Sequence, residues 1–319
     1  MLSEIKNSVQ GLSIDKPGLW YYLRRDRLLY ALLLPGVLYF IIFKYLPMMG
    51  IIIAFENFKP YWGLEGLFTS EFVGLHWFKR FFNSVYSGRL IWNTLVISLL
   101  KLIFGFPAPI ILALLLNDVR NRHFKKAVQS ISYIPYFLSW VIVAGLVQQL
   151  TSTDGGIVNM IVNLFGGEKT YFLGSTKYFR SILVISAIWR NVGWDSIIYL
   201  AAITGIDPEL YDASKVDGAG MLRRMWNITI PTIMPIISIM LILRTGRLLN
   251  AGFEQTLMLL TPSVYSVGDI IDTFVYREGI MHMNYSYTMA VSLFKSVIAF
   301  LLVLTTNKAA KKMGQEGIW

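Results

Sequence analysis

Trp189, Arg190, Asn191, Trp194, Asp195 and Tyr199 stand together inside one apolar run. A guanidinium, an amide and a carboxylate are costly in hydrocarbon, so in a membrane they turn to a protein interior or a water-filled cavity. Asn191, Asp195 and Tyr199 follow one i, i+4 stripe, whereas Arg190 and Asp195, five apart, do not stack directly. Aromatic faces beside hydroxyl-binding groups suit a sugar. Further along, Arg244, Arg247 and Asn250 share one run and Lys295 sits in another. These cations offer fixed charge to the carboxylates of a uronate chain, or they snorkel to headgroups near the span ends. The competing account of all these residues is hydrogen bonding between helices and interface anchoring by tryptophan. Tyr133, Tyr136 and Trp140 read as packing.

Covalent chemistry finds no support. Cysteine is absent, and His76, His123 and His282 lack ligand spacing. No nucleophile–base constellation is visible. Gly166-Gly167-Glu168-Lys169-Thr170 has the wrong order for a phosphate loop. The chain therefore reads as a non-enzyme with no cofactor of its own. If it pumps, ATP and magnesium are bound by separate subunits.

A second polar constellation is the loop Tyr211-Asp-Ala-Ser-Lys-Val-Asp-Gly-Ala-Gly-Met-Leu-Arg-Arg-Met-Trp-Asn-Ile-Thr-Ile-Pro231. Asp207 can cap a helix that Pro208 begins and that runs to about Asp217. Gly218 and Gly220 permit a turn through positive φ. Met221, Leu222, Met225 and Trp226 then make one apolar helical face, with Arg223 and Arg224 elsewhere. Ile230, preceding Pro231, is biased away from helix, which predicts a break before the next apolar run. The expected product is a helix–turn–helix knob, either docked on a partner or resting on lipid.

The elements that carry these residues are membrane helices. Of 319 residues, 55% are hydrophobic and only 15% charged, below the quarter usual for soluble domains, and the apolar excess comes in blocks. Six spans are expected, at about 28–55, 90–116, 127–150, 181–203, 231–250 and 287–306. The first contains Pro35 and Pro47 and is longer than a bilayer core requires, so it should tilt or kink. Residues 1–27 lack a secretory signal and read as a retained cytoplasmic arm. The transmembrane domain covers 28–306, with a cytoplasmic loop at 205–230 and a cytoplasmic tail at 307–319. Lys and Arg number five, four, three and three in the segments so placed inside, against four, three and one outside. That bias puts both termini in the cytoplasm. It also accounts for the net charge of +10 through anionic lipid rather than nucleic acid.

The loop resembles the coupling loop of membrane subunits of ATP-driven importers. That pattern is Glu-Ala-Ala, three residues, Gly, nine residues, Ile, one residue, Leu-Pro. Asp212-Ala213-Ser214, Gly218, Ile228, Ile230 and Pro231 match its spacing, with Asp for Glu, Ser for Ala and Ile for Leu. The resemblance implies that Asp212, Ala213, Ser214, Asp217, Gly218, Met221, Leu222, Arg223, Met225 and Pro231 couple the chain to an ATPase. Ile188–Asp195, Phe253-Glu254-Gln255, Ile271–Arg277 and Asn284–Tyr287 look like the polysaccharide branch of carbohydrate importer permeases, the LplB-like proteins, and within it the alginate importers. This implies an all-α, six-helix type I permease in a bacterial inner membrane. It implies a second homologous permease, two ATPase subunits and an extracytoplasmic solute-binding protein. Arg190, Asn191, Trp194, Asp195, Tyr199, Arg244, Arg247 and Asn250 are then candidates for the translocation path. The alternative, an ion-coupled secondary transporter or channel, would need an intramembrane carboxylate relay or a broken-helix ion site, and Asp195 is the one clear acidic residue deep in a span.

Overall fold

The computed structural model describes residues 19–63, 65–312 and 314. Most of the expected N-terminal arm and the end of the tail lie outside them. The chain divides into two compact units, residues 1–52 and 53–319. In the first, a short helix Leu19–Arg25 ends at Asp26, and helix α1 (Arg27–Phe55), which begins the apolar run, lies in it up to Ile52. α1 holds Pro35 inside and is π-helical over Ile41–Tyr45.

The second unit is helical throughout. Among the described residues its one extended pairing is the bridge between Glu56 and Phe72. Its principal helices are α2 (Ser87–Asp118), α3 (Arg122–Phe137), α4 (Trp140–Leu150), α5 (Phe179–Thr204), α6 (Pro208–Val216), α7 (Met221–Gly246), α8 (Phe253–Leu259), α9 (Ile271–Tyr276) and α10 (Tyr285–Lys312). α1, α2, α7 and α10 are each long and apolar enough to cross a membrane. α5 carries Arg180, Arg190 and Asp195 and is less apolar. Its 26 residues nonetheless span ~39 Å at about 1.5 Å per residue, more than a hydrocarbon core of about 30 Å.

The third expected span is not one straight helix. α3 and α4 meet at 105°. Pro135 tightens the end of α3 into a 3-10 turn, and Ser139 restarts the helix by accepting a hydrogen bond from the Ile142 amide at 3.4 Å. Proline supplies no amide to continue the α3 ladder, and serine is a strong N-cap, so the sequence break is local.

α5 is the central element. Near its C-terminal end Tyr199, Leu200 and Ile203 pack with Ala113 and Leu116 of α2 and with Met225 and Ile233 of α7. Near its N-terminal end Phe179 and Leu183 pack with Ile97, Ala144, Leu259 and Ile270. Between the two clusters Gly193 lies against α3, where a β-carbon would collide with the Ser132 carbonyl. Small residues let membrane helices approach at such points.

Residues 251–286, expected outside, contain α8 and α9 and are tied into the bundle. Asn93 donates to the carbonyl of Asp269 at 3.1 Å, and Arg180 donates to Asn93 at 2.8 Å and to the Val267 carbonyl at 3.0 Å. Thr94 accepts from the Ile271 amide at 2.9 Å. Arg277 pairs with buried Asp269 at 2.7 Å. The side-chain partners replace water for backbone groups that the bundle encloses.

Candidate functional site: a polar route along α5 and α7

Three cavities follow one another through the second unit. The first, about 570 Å³, is lined by Trp140, Asn250, Gly252, Phe253, Glu254, Asp272, Tyr276 and Tyr285, among others. The second, about 200 Å³, shares Trp140 and Gly252 with it and adds Lys101, Asn191, Asp195, Arg244 and Gln255. The third, about 460 Å³, shares Asp195 and Arg244 with the second and adds Trp194, Tyr199, Met240 and Arg247. The shared walls make them a series. Of the eight path candidates, seven line it: Asn191, Trp194, Asp195, Tyr199, Arg244, Arg247 and Asn250.

Arg190 has a different task. Its guanidinium donates to the Leu138 carbonyl at 3.1 and 2.9 Å and to Asn191 at 3.1 Å. It also lies over the rings of Tyr136 and Trp140, at 5.3 and 4.8 Å. The bend between α3 and α4 exposes a carbonyl, and Arg190 satisfies it. Tyr136 is stacked on Trp194 at 4.6 Å, so the packing expectation holds for Tyr136. Trp140, by contrast, also lines the route. Lys295 is spent as well: Asp272 accepts from it through both oxygens at 2.6 Å, and Asn250 accepts at 3.1 Å. Arg190 and Lys295 are therefore both held by partners within the protein, in line with the hydrogen-bonding account of these residues.

The charges that remain are unevenly matched. Asp195 holds Arg244 through a long 3.5 Å contact, both side chains being about a third exposed. Arg247 is exposed and, among the described residues, forms no ion pair. Lys101 was missed. It is the single charge in the apolar run 90–116, which is itself the signal of an intramembrane functional residue. Its ammonium donates to the Ala251 carbonyl at 2.7 Å and to the side-chain oxygen of Gln255. Gln255 is fully buried and donates to the Leu183 carbonyl and to Ser186, each at 2.7 Å.

The loop between α5 and α7 has the expected knob shape, with two corrections. Asp207 caps α6 by accepting from the Glu209 amide at 2.9 Å. Gly218 has φ +70, but Gly220 is extended at φ −67 and simply starts α7. Ile230 is helical, and α7 runs unbroken from Met221 through Pro231. A π-helical turn at Met225–Thr229 widens the backbone where the proline ring would press on the carbonyl four residues back. The apolar face of the knob is split. Met225 and Ser214 are buried in the bundle, while Leu222 and Trp226 are 69% and 68% exposed. Asp212, Ala213, Asp217, Gly218, Met221, Arg223 and Pro231 are exposed too, and Asp212 pairs with Lys215 at 2.8 Å.

Residues 105–313 match the family described as binding-protein-dependent transport system inner membrane component. The chain belongs to this family. The permease is 48% identical over 295 residues to the polygalacturonan/rhamnogalacturonan transport system permease protein YteP of Bacillus subtilis (strain 168), covering 92% of this chain and 91% of that one. It is 46% identical to Protein LplB of the same organism, over 93% and 92% of the two chains. A solved bacterial ABC transporter involved in the import of the acidic polysaccharide alginate contains a chain 41% identical, with a TM-score of 0.85 over 92% of the permease and 98% of that chain. The alginate transporter bound to an alginate pentasaccharide-loaded periplasmic protein matches with a TM-score of 0.86 at the same identity, over 94% and 99%. The all-α fold is therefore the type I ABC importer permease fold. Membership makes the chain a membrane transport subunit rather than an enzyme and removes the secondary-transporter alternative.

Proposed function

We propose that this permease carries acidic oligosaccharides across a bacterial inner membrane along the three-cavity route. The observation that carries the reading is the charge of the third cavity, where Arg244 and Arg247 face a single carboxylate, Asp195. A carboxylate accepts parallel hydrogen bonds from guanidinium, and a water-poor site strengthens them. Trp194 and Tyr199 supply flat faces for sugar rings. The named relatives handle polygalacturonan and alginate, which agrees with an acidic cargo.

In this reading a binding protein delivers the sugar outside, and a second permease completes the route. Two ATPase subunits bind ATP and magnesium and drive alternation between outward- and inward-open states. The knob at residues 205–230 is their docking element, and membrane lipid surrounds residues 28–306. The arm 1–27 and tail 307–319 lie in the cytoplasm. The decisive experiment is uptake of uronate and neutral oligosaccharides of equal length by the reconstituted complex, with Arg244→Gln as the variant. Wild type should prefer the uronate, and the variant should lose roughly tenfold or more of that preference, the scale of one charged hydrogen bond. Equal carriage of both sugars by wild type would overturn the acidic-cargo reading.

Orientation has its own test. In the cysteine-free chain, single cysteines at Ser152 and at Val216, which is 88% exposed, meet an impermeant thiol reagent in intact spheroplasts. Ser152→Cys should react and Val216→Cys should not. The termini can be probed likewise at Ser3 and Gly317, which lie outside the described residues. Labelling from outside at Val216→Cys would invert the topology.

A further inference from the structure

The second cavity contains two cations and one carboxylate. Lys101 and Arg244 line it with Asp195, and all three belong to the long helices α2, α5 and α7. Lys101 and Gly105 are four apart, hence on one face of α2. An Arg244 nitrogen lies 3.0 Å from where a β-carbon on Gly105 would stand. The ammonium and the guanidinium therefore look into the same small space. Among the described residues, no carboxylate pairs with Lys101: both its hydrogen-bond partners are neutral. An ammonium has three donors, and only two are used.

The surroundings place Lys101 without giving it a carboxylate partner. Gln255 donates both of its bonds toward α5, to Leu183 and Ser186, which fixes its oxygen toward Lys101. Gly252, with φ +74, leaves the space the ammonium occupies, since a β-carbon there would collide with the Lys101 nitrogen. A buried glutamate in place of Gln255 would neutralise the lysine, yet the site has the uncharged amide. An excess positive charge in a low-dielectric space is costly and is relieved by an arriving anion.

The geometry points to Lys101 and Arg244 as a carboxylate seat at the narrow middle of the route, with Gln255 as the residue that positions Lys101. The ligand class is a uronic acid residue within an oligosaccharide, so the inference rests on the acidic-cargo reading and assigns it a seat. Asp195 is the internal substitute. Its long contact with Arg244 keeps that cation partly matched while the seat is empty and competes with the cargo afterwards. This competition matters because a transported anion must leave: a site that binds too well stops transport. Arg247, in the next cavity, is the following cation for the released carboxylate.

Lys101→Met keeps an unbranched side chain one atom shorter and removes the charge. Uptake of a uronate oligosaccharide by the complete reconstituted complex should fall at least tenfold. Uptake of a neutral oligosaccharide of equal length, and the yield of assembled complex, should stay within twofold of wild type. Should Lys101→Met fail to assemble, Lys101→Gln carries the test, because it retains N–H donors for Ala251 and Gln255. Equal losses for both sugars would show that Lys101 only braces the 251–255 turn and would overturn the proposal. Retained uronate preference in either variant would overturn it too, while leaving the acidic-cargo reading intact. A wild-type complex without uronate preference would overturn both.

Discussion

Replacing Leu222 or Trp226 by glutamate is expected to separate the permease from its ATPase. Both side chains are more than two-thirds exposed on the knob, while Met225, on the same helical face by sequence, is buried in the bundle. The exposed pair thus packs little against the described residues. Large apolar anchors at the centre of an interface contribute about 2–4 kcal/mol each, so a charge there should weaken docking by roughly 30- to 1,000-fold. Co-purification with the ATPase subunit should fall accordingly, and substrate-stimulated ATP hydrolysis should be lost. The permease alone should fold normally, since neither residue is packed. Undiminished co-purification of both variants would remove this face as the docking surface and leave it to lipid. Asp212 is expected to matter less: its observed partner is Lys215, and that pair is exposed and of a kind usually worth under about 1 kcal/mol.

The second large effect is structural. Gly193→Val should prevent stable assembly, because α5 and α3 approach so closely there that a β-carbon meets the Ser132 backbone carbonyl. A flexible side chain could move aside, but a carbonyl in a helix moves only with its helix. Overpacking costs about 1–3 kcal/mol when side chains can adjust, and this site should lie at or above that range. The consequences reach the route, since Trp194 stacks on Tyr136 and Arg190 holds the Leu138 carbonyl beside it. The measurements are yield and thermal unfolding of the purified complex, for Gly193→Ala and Gly193→Val. A wild-type melting temperature for Gly193→Ala would show that α3 can retreat, and the close approach would lose its importance.

The sequence by itself determined where the long apolar runs lie, the cap at Asp207, the turn at Gly218 and the family, because each depends on a local pattern. An apolar run, a capping carboxylate or a left-handed glycine needs only its neighbours in the chain. The polar set on α5 was legible for the same reason: charge inside an apolar run is conspicuous at any depth. Lys101 met that criterion equally and should have joined the set. Tertiary structure alone decided which cations are closely held. Arg190 and Lys295 read like Arg244 and Arg247 in sequence, but their partners, the Leu138 carbonyl and Asp272, are 52 and 23 residues away. It also decided that α7 continues through Pro231, because a π-helical turn accommodates the ring in a way that the residue-before-proline preference does not anticipate. The split of the knob's apolar face was likewise undecidable from spacing. One helical face can meet both the bundle and a partner, and only packing reveals that Met225 turns inward while Leu222 and Trp226 do not. Whether a buried charge is spent or available is a property of the pair, and long-range pairs exist only once the helices have come together.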